Sequence, residues 1–280
     1  MTSQLTFPAL PLSAWQPTRD TLQGYSKVLG KIRRALTPPQ KHWWHVSLRV
    51  APHGLTTTAI PVPESDGATF EINLDLLQAL QVRIVTSLDQ SWTQPLTGQP
   101  LNQFCDSVLA VLAEMGIEVE IDRTLFAADT PGVIDPEAVK IFWQAFSSTH
   151  TVMQQFKAGL PGETGPVQLW PHHFDLAMLW FSGRTVPGVD PANEEYADEQ
   201  MNFGFSTGDE GMPEPYFYAT AYPWPKQMVA APLPAGAEWY TASWKGGLLR
   251  YELLVKAGQP AENLLAYLRA VHQAGSNLMK

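Results

Sequence analysis

The sequence predicts an α+β protein made of two related halves, each a helix, an antiparallel meander and a closing helix, folded into one compact unit. Three observations carry that prediction. Apolar residues fall at helical spacing in a few long stretches. Between them, short runs alternate apolar and polar residues and are bounded by turn formers, with 24 Pro and 20 Gly in the chain. Short motifs from the first half then recur in the second.

An extended, Pro-containing arm occupies residues 1–16. A helix opens near Pro17, whose fixed φ and missing N–H suit a first turn. Leu22, Tyr25, Val28, Leu29, Ile32 and Leu36 form its apolar stripe, and Thr37-Pro38-Pro39 ends it. His42 to Val50 alternates in strand fashion, with Trp44, Val46, Leu48 and Val50 on one side and Trp43, His45, Ser47 and Arg49 on the other. Leu55–Ile60, Thr69–Leu74, Gln81–Thr86 and a short piece near Trp92 continue the meander. A helix over Leu101–Met115 and a strand over Ile117–Ile121 complete this half.

The second half opens with a helix capped at Asp135-Pro136-Glu137. A Pro/Gly linker at 159–166 leads to strands over Gln168–Phe181, Gln200–Ser206, Tyr216–Tyr222 and Trp239–Ala242, then a helix over Ala261–Ala274. Gly98-Gln99-Pro100 precedes the closing helix of the first half as Gly258-Gln259-Pro260 precedes that of the second. Trp43-Trp44-His45 is echoed by Trp170-Pro171-His172-His173. The expected halves are therefore residues 1–132, with the N-terminal arm, and residues 133–280, with an acidic loop at 185–215.

Composition narrows the function classes. A 45% hydrophobic, 16% charged chain of 280 residues has the means for a large core and is not a disordered one. The net charge of −9 is uneven. Arg19, Lys27, Lys31, Arg33, Arg34, Lys41 and Arg49 face only Asp20 in the first 60 residues, whereas residues 185–215 hold acids and no base. Those few bases do not make the basic stripe that nucleic acid requires. No apolar run reaches membrane-spanning length. The start of the chain has neither the basic region nor the apolar region of a signal peptide. The single cysteine, Cys105, permits no internal disulfide and fits a reducing, cytoplasmic setting. No Gly-x-x-x-x-Gly-Lys-[Ser/Thr], Gly-x-Gly-x-x-Gly, Gly-x-Ser-x-Gly or His-Glu-x-x-His motif occurs, so nucleotide-binding, α/β-hydrolase and zincin chemistries lose their usual sequence support.

Several stretches resemble a known family. Gly30-Lys31-Ile32-Arg33, Leu36-Thr37-Pro38-Pro39, His42-Trp43-Trp44-His45-Val46 and Gly54-Leu55-Thr56-Thr57 are similar to the start of an uncharacterised bacterial family, domain of unknown function 5996. Phe174-Asp175-Leu176-Ala177 with Phe181-Ser182-Gly183-Arg184 resembles its second signature. Glu214-Pro215, Phe217-Tyr218-Ala219 and Ala221-Tyr222-Pro223 resemble its third. The resemblance spans nearly the whole chain, and implies a full-length domain of bacterial type and no particular reaction.

Three groups of residues are candidates for chemistry. On a strand, His173 and Asp175 would share a face, and with His45 from the echoing segment they have the composition of a facial triad for one divalent metal, Fe, Zn or Mn. His42 and His172 are alternates to His45. Lys31, Arg33, His42, Trp43, His45, Arg49 and Arg184, with Glu199 and Glu214, could line a site for a small polar or anionic molecule, since Arg forks match carboxylate or phosphate. Glu214 with Tyr216, Tyr218 and Tyr222 offers a carboxylate and phenols for acid–base work. The structural alternatives are plain: Arg184 pairing with Asp175 or Glu199, Trp43 and Trp44 in the core, and tyrosines that merely pack. The functional expectation is a small-molecule enzyme with a polar His/Asp/Arg pocket between the expected halves, metal-dependent if the triad assembles. The alternative is a non-catalytic module that binds a ligand, a protein or a second copy of itself through Trp-rich surfaces. An exposed patch around Trp43, Trp170 or Trp224 would mark that alternative.

Overall fold

Pro17 and the apolar stripe behind it do set the first helix. In the computed structural model, which describes residues 5–279, α1 spans Gln16–Leu36 and buries Leu22, Tyr25, Val28, Leu29 and Ile32. Thr37 is extended ahead of the two prolines and its N–H closes the last turn on the Arg33 carbonyl at 2.8 Å. The strand expected over His42–Val50 forms only at its end, from Arg49. His42 and Trp43 adopt left-handed φ values of 55° and 59°, so Lys41–Val46 winds into short 3-10 turns. Trp43 there stacks on the His45 ring at 5.7 Å and lies under the Arg34 guanidinium at 5.0 Å.

The meander that follows is close to expectation. Strands β1 (Arg49–Ala51), β2 (Gly54–Thr56), β3 (Ile60–Pro61), β4 (Thr69–Asp75), β5 (Gln81–Thr86) and β6 (Ser91–Pro95) form one antiparallel sheet of order β1-β2-β4-β5-β6, with β3 paired to β4. Alternation works as the sequence suggests: Phe70, Ile72 and Leu74 of β4 and Val82 and Ile84 of β5 are buried. The single run expected over Leu55–Ile60 is divided into β2 and β3, because Thr58 takes a φ of 56°. Helix α2 spans Leu101–Glu114, and its Phe104 stacks on Tyr25 of α1 at 4.0 Å. The strand expected at Ile117–Ile121 is absent. Gly116 turns at φ 80° and the Ile117 N–H bonds the Leu112 carbonyl, which commits that segment to capping α2. Helix α3 spans Pro136–Ala158, capped by Asp135 Oδ1 on the Glu137 N–H at 3.0 Å.

The chain divides into two compact units. The first holds Trp15–Trp143 and Leu169–Phe174; the second holds the described residues through Ala14, Gln144–Gln168 and the chain from Asp175 on. The boundary thus falls inside α3 rather than at residue 132. The N-terminal arm, expected with the first half, belongs to the second unit: Ser148 Oγ donates to the Thr6 carbonyl at 2.7 Å, and Tyr251 Oη to that of Pro8 at 2.9 Å.

The run expected as one strand over Gln168–Phe181 is two, β7 (Gln168–Trp170) and β8 (Asp175–Thr185), separated by a turn in which Phe174 has φ 57°. Strands β9 (Asp198–Ser206), β10 (Tyr216–Tyr222), β11 (Ala237–Tyr240) and β12 (Gly246–Arg250) then give the antiparallel order β11-β12-β10-β9-β8. β12 and the short α4 (Tyr251–Lys256) were not foreseen; α5 spans Pro260–Ser276. One face of this sheet is apolar, carrying Met178, Phe203, Phe205, Phe217 and Ala219, and with Leu264, Tyr267, Leu268 and Val271 of α5 it makes the buried core of this unit. At Gly247 a Cβ would stand 2.8 Å from Val271 Cγ2, so a glycine there lets α5 approach the sheet. Among the described residues, no helix is long and apolar enough to cross a membrane.

Candidate functional site

The opposite face of the second sheet carries polar side chains beside an apolar cluster of Met212, Tyr216 and Leu248. Register places Tyr218 opposite Gly204, and Gly204 opposite Ala177. With side chains alternating, Tyr216, Tyr218, Thr220 and Tyr222 of β10 share this face with Gln200, Asn202, Gly204 and Ser206 of β9 and Asp175 of β8. The intervening residues of the same strands make the core. One alternation therefore builds both the hydrophobic layer and a tyrosine-, amide- and acid-bearing surface.

Tyr218 organises that surface. Its ring lies across β9 at Gly204, where a Cβ would stand 2.5 Å from Tyr218 Cε1 and closer still to Cζ and the hydroxyl. Only glycine leaves that space. The hydroxyl thereby reaches Asp175 on β8 and donates to Oδ2. Burial pushes the Tyr218 phenol well above its ordinary pKa, and the Asp175 charge pushes it further, against a smaller opposing effect of the Asn202 side chain. Tyr218 is accordingly a protonated donor at neutral pH. Tyr216 repeats the pattern nearby. Its hydroxyl donates to Asp209 Oδ2 at 2.9 Å, while Asp209 Oδ1 accepts the N–H groups of Gly211 and Met212 at 2.8 and 2.9 Å. Trp244 packs against Tyr240 at 4.6 Å and lies near Tyr216 and Tyr218.

Asn202 Oδ1 and Gln200 Oε1, neighbours along β9, are buried atoms with no hydrogen-bond donor, although Gln200 Nε2 donates to the Glu195 carbonyl at 2.9 Å. Asn202, Gln200, Tyr218, Thr220 and Tyr222 each retain partial solvent exposure. Taken together it is rich in acceptors and carries a carboxylate that is only 7% exposed.

Of the expected metal triad, His45 and His173 lie in the first unit and Asp175 in the second. Among the described residues, no group of three or more His, Cys, Asp or Glu side chains is placed to hold a metal ion. The turn at Phe174 breaks the strand geometry that would have put His173 and Asp175 on one face. His172 and His173 are exposed in that turn, their rings 4.4 Å apart, while Asp175 is buried at the start of β8. His45 is buried, and its Nδ1 accepts the Gln40 N–H at 3.1 Å. In its neutral form the proton is then on Nε2, which leaves no lone pair for a metal. His42 is buried as well.

Arg184 and Glu199 are committed to each other. The Arg184 Nε and Nη2 atoms reach the Glu199 carboxylate at 2.8–3.0 Å, and Ser182 Oγ donates to the same carboxylate. The structural reading of Arg184 thus describes its surroundings. Glu214 is exposed in the loop before β10. Lys31 and Trp43 are partly buried, and Arg33 is buried in the first unit. Among the described residues, no tryptophan belongs to the exposed large hydrophobic side chains, Trp43, Trp170 and Trp224 included. Cys105 is buried, and burial pushes its thiol up to about 11, which removes the thiolate that nucleophilic chemistry needs.

Gln200, Asn202, Gly204 and Trp244 were not singled out from sequence. The signal for the first three was present as the alternation of Gln200, Asn202, Gly204 and Ser206 with Met201, Phe203 and Phe205. Two of the signature residues, Asp175 and Tyr218, meet in this site. Comparisons with curated proteins and with solved structures gave no match. Residues 7–280 match the family described as Family of unknown function (DUF5996), and the chain belongs to that family.

Proposed function

We propose that this protein is a small-molecule enzyme of the cytoplasm whose substrate is rich in hydrogen-bond donors, such as an amine or a polyol, and lies against the Tyr/Asp face of the second sheet. The observation that carries this reading is the Asp175–Tyr218 contact over Gly204. A sheet built only for packing gains from a β-branched or aromatic residue at a central strand position, and glycine there costs about 0.5–1 kcal/mol relative to alanine. Here the glycine lets a phenol donate a hydrogen bond to a nearly buried carboxylate. Asp175 supplies a charge in a low-dielectric setting, able to hold a cationic group or accept a proton from a bound donor. Tyr218, held protonated, orients that carboxylate and donates rather than accepts. The unfulfilled Asn202 and Gln200 oxygens extend the acceptor array along the strand, and the partly exposed Tyr and Trp rings beside it suit the apolar side of such a ligand. Cys105, buried and protonated, has no part in the chemistry.

The test is a thermal-shift screen of amines, amino sugars and polyols, followed by turnover assays on the hits. Wild type is compared with Asp175→Asn and Tyr218→Phe, each first checked for native circular dichroism. Compounds that stabilise wild type and lose their effect in both variants support the reading. Hits that stabilise all three proteins equally would place the ligand elsewhere and overturn it.

A further inference from the structure

Two arginines of the first unit are arranged in a way that the Tyr/Asp face does not explain. Arg33, on the buried side of α1, is only 5% exposed. At Gly30, three residues earlier, α1 comes close to the chain around Val46: a Cβ on Gly30 would stand 3.1 Å from the Val46 carbonyl oxygen and 2.9 Å from Pro171 Cγ. That approach lets Arg33 Nη1 donate to the Ser47 carbonyl. Its Nε has no acceptor. Arg49, two residues further on in β1 and partly buried, is close enough that its charge lowers the pKa of Arg33, an effect second to burial. Burial likewise lowers the pKa of Arg49. Among the described residues, neither guanidinium forms an ion pair. Of the acids on the same face of the sheet, Glu71 accepts the Thr56 hydroxyl and Asp75 accepts the Leu77 and Gln78 N–H groups.

Two guanidinium groups partly drawn from water, near each other and without an ion-pair partner, repel each other and carry an uncompensated desolvation cost. Chains keep such groups where an anion completes them, because the planar forks match oxyanions bidentately. We infer that Arg33 and Arg49 form a binding site for a phosphate-class oxyanion, with the Ser47 carbonyl fixing the Arg33 fork and Arg49 closing on the anion from the solvent side. Two positive charges favour the doubly charged phosphate over a monocarboxylate. The site lies wholly within the first unit and stands or falls independently of the Tyr/Asp face.

The experiment titrates inorganic phosphate into the full chain at constant ionic strength set by chloride, reading heat by calorimetry and melting temperature in parallel. Saturable binding that raises the melting temperature is expected. Arg49→Gln, at a partly buried position, should weaken it by about tenfold or more, and Arg33→Lys, which keeps charge but loses the fork, should weaken it as well. A sign change separates this role from a structural one. In phosphate-free buffer Arg49→Gln should melt above wild type, because repulsion is relieved; in saturating phosphate it should melt below. A phosphate effect no larger than that of chloride, or one untouched by Arg49→Gln, overturns the site. Malonate binding as tightly as phosphate overturns the assignment to phosphate.

Discussion

Gly204→Ala should be strongly destabilising, against the usual direction of such a change. Within a strand, replacing glycine by alanine ordinarily gains about 0.5–1 kcal/mol. At this position the new methyl would stand 2.5 Å from Tyr218 Cε1, where carbon atoms normally rest at about 3.5 Å or beyond. The ring must therefore retreat by about 1 Å, and its hydroxyl leaves Asp175. Overpacking of this kind costs about 1–3 kcal/mol, and a hydrogen bond to a charged acceptor is worth about 1.5–3 kcal/mol. A net loss of about 3 kcal/mol follows. Urea unfolding measures it, followed by near-ultraviolet circular dichroism so that loss of tyrosine packing is seen directly. The companion variant Gly204→Ala/Tyr218→Ala removes the obstructing ring. Against the Tyr218→Ala background the added methyl should cost almost nothing, giving a coupling of about 2–3 kcal/mol. If Gly204→Ala is as stable as wild type, or if its penalty persists without the Tyr218 ring, the account of how Tyr218 is held over β9 is wrong.

Three further outcomes are expected. The His272 ring lies among Trp180, Phe156 and Phe203 at 4.7, 6.2 and 6.3 Å, and burial lowers its pKa. As pH falls below about 6.5 the unfolded chain takes up the proton first, so stability should decline there; His272→Leu should reduce the difference in urea midpoint between about pH 7.5 and 5.5, leaving a residual slope from His150 and His172, whose pKa values burial also lowers. Arg184→Ala, at a pair whose arginine side chain is 44% exposed, should cost less than about 1 kcal/mol in the same unfolding assay despite its bidentate geometry. Cys105 should react with a thiol reagent only after denaturant is added, because its thiol is buried and its pKa raised.

The elements legible in the sequence were those whose side-chain period and boundaries agree. In α1, Pro17 opens the helix and Thr37-Pro38-Pro39 closes it around an unbroken apolar stripe. In β4, β5 and β10 every second residue is buried or packed, and no residue of positive φ interrupts them. Errors fell where backbone geometry overrode the period. His42, Trp43 and Phe174 take left-handed conformations without being glycine, and no pattern of hydrophobicity records that. β12 was missed for the opposite reason. Gly246 and Gly247 look like a turn, yet they lie in a strand, where they make room for Ala219 and for Val271 of α5. A glycine in sequence does not say whether it serves a backbone angle or a close approach.

The candidate site was half legible for a related reason. Asp175 and Tyr218 were both noticed, but as members of separate groups, Asp175 with histidines and Tyr218 with Glu214. Their pairing spans three strands and depends on register, on the turn that frees Asp175 from His173, and on the space left at Gly204. Each of these is non-local. What local reading did not use was the polar half of β9. Gln200 and Asn202 could be threonine or valine in a strand that only had to pack. A buried acceptor with no donor costs about 1–3 kcal/mol, and two such oxygens lie side by side here. On the proposed function, stability lost in this way in the free protein would be regained when a donor arrives, and the same atoms that weaken the sheet would select a donor-rich ligand over an apolar one of equal size.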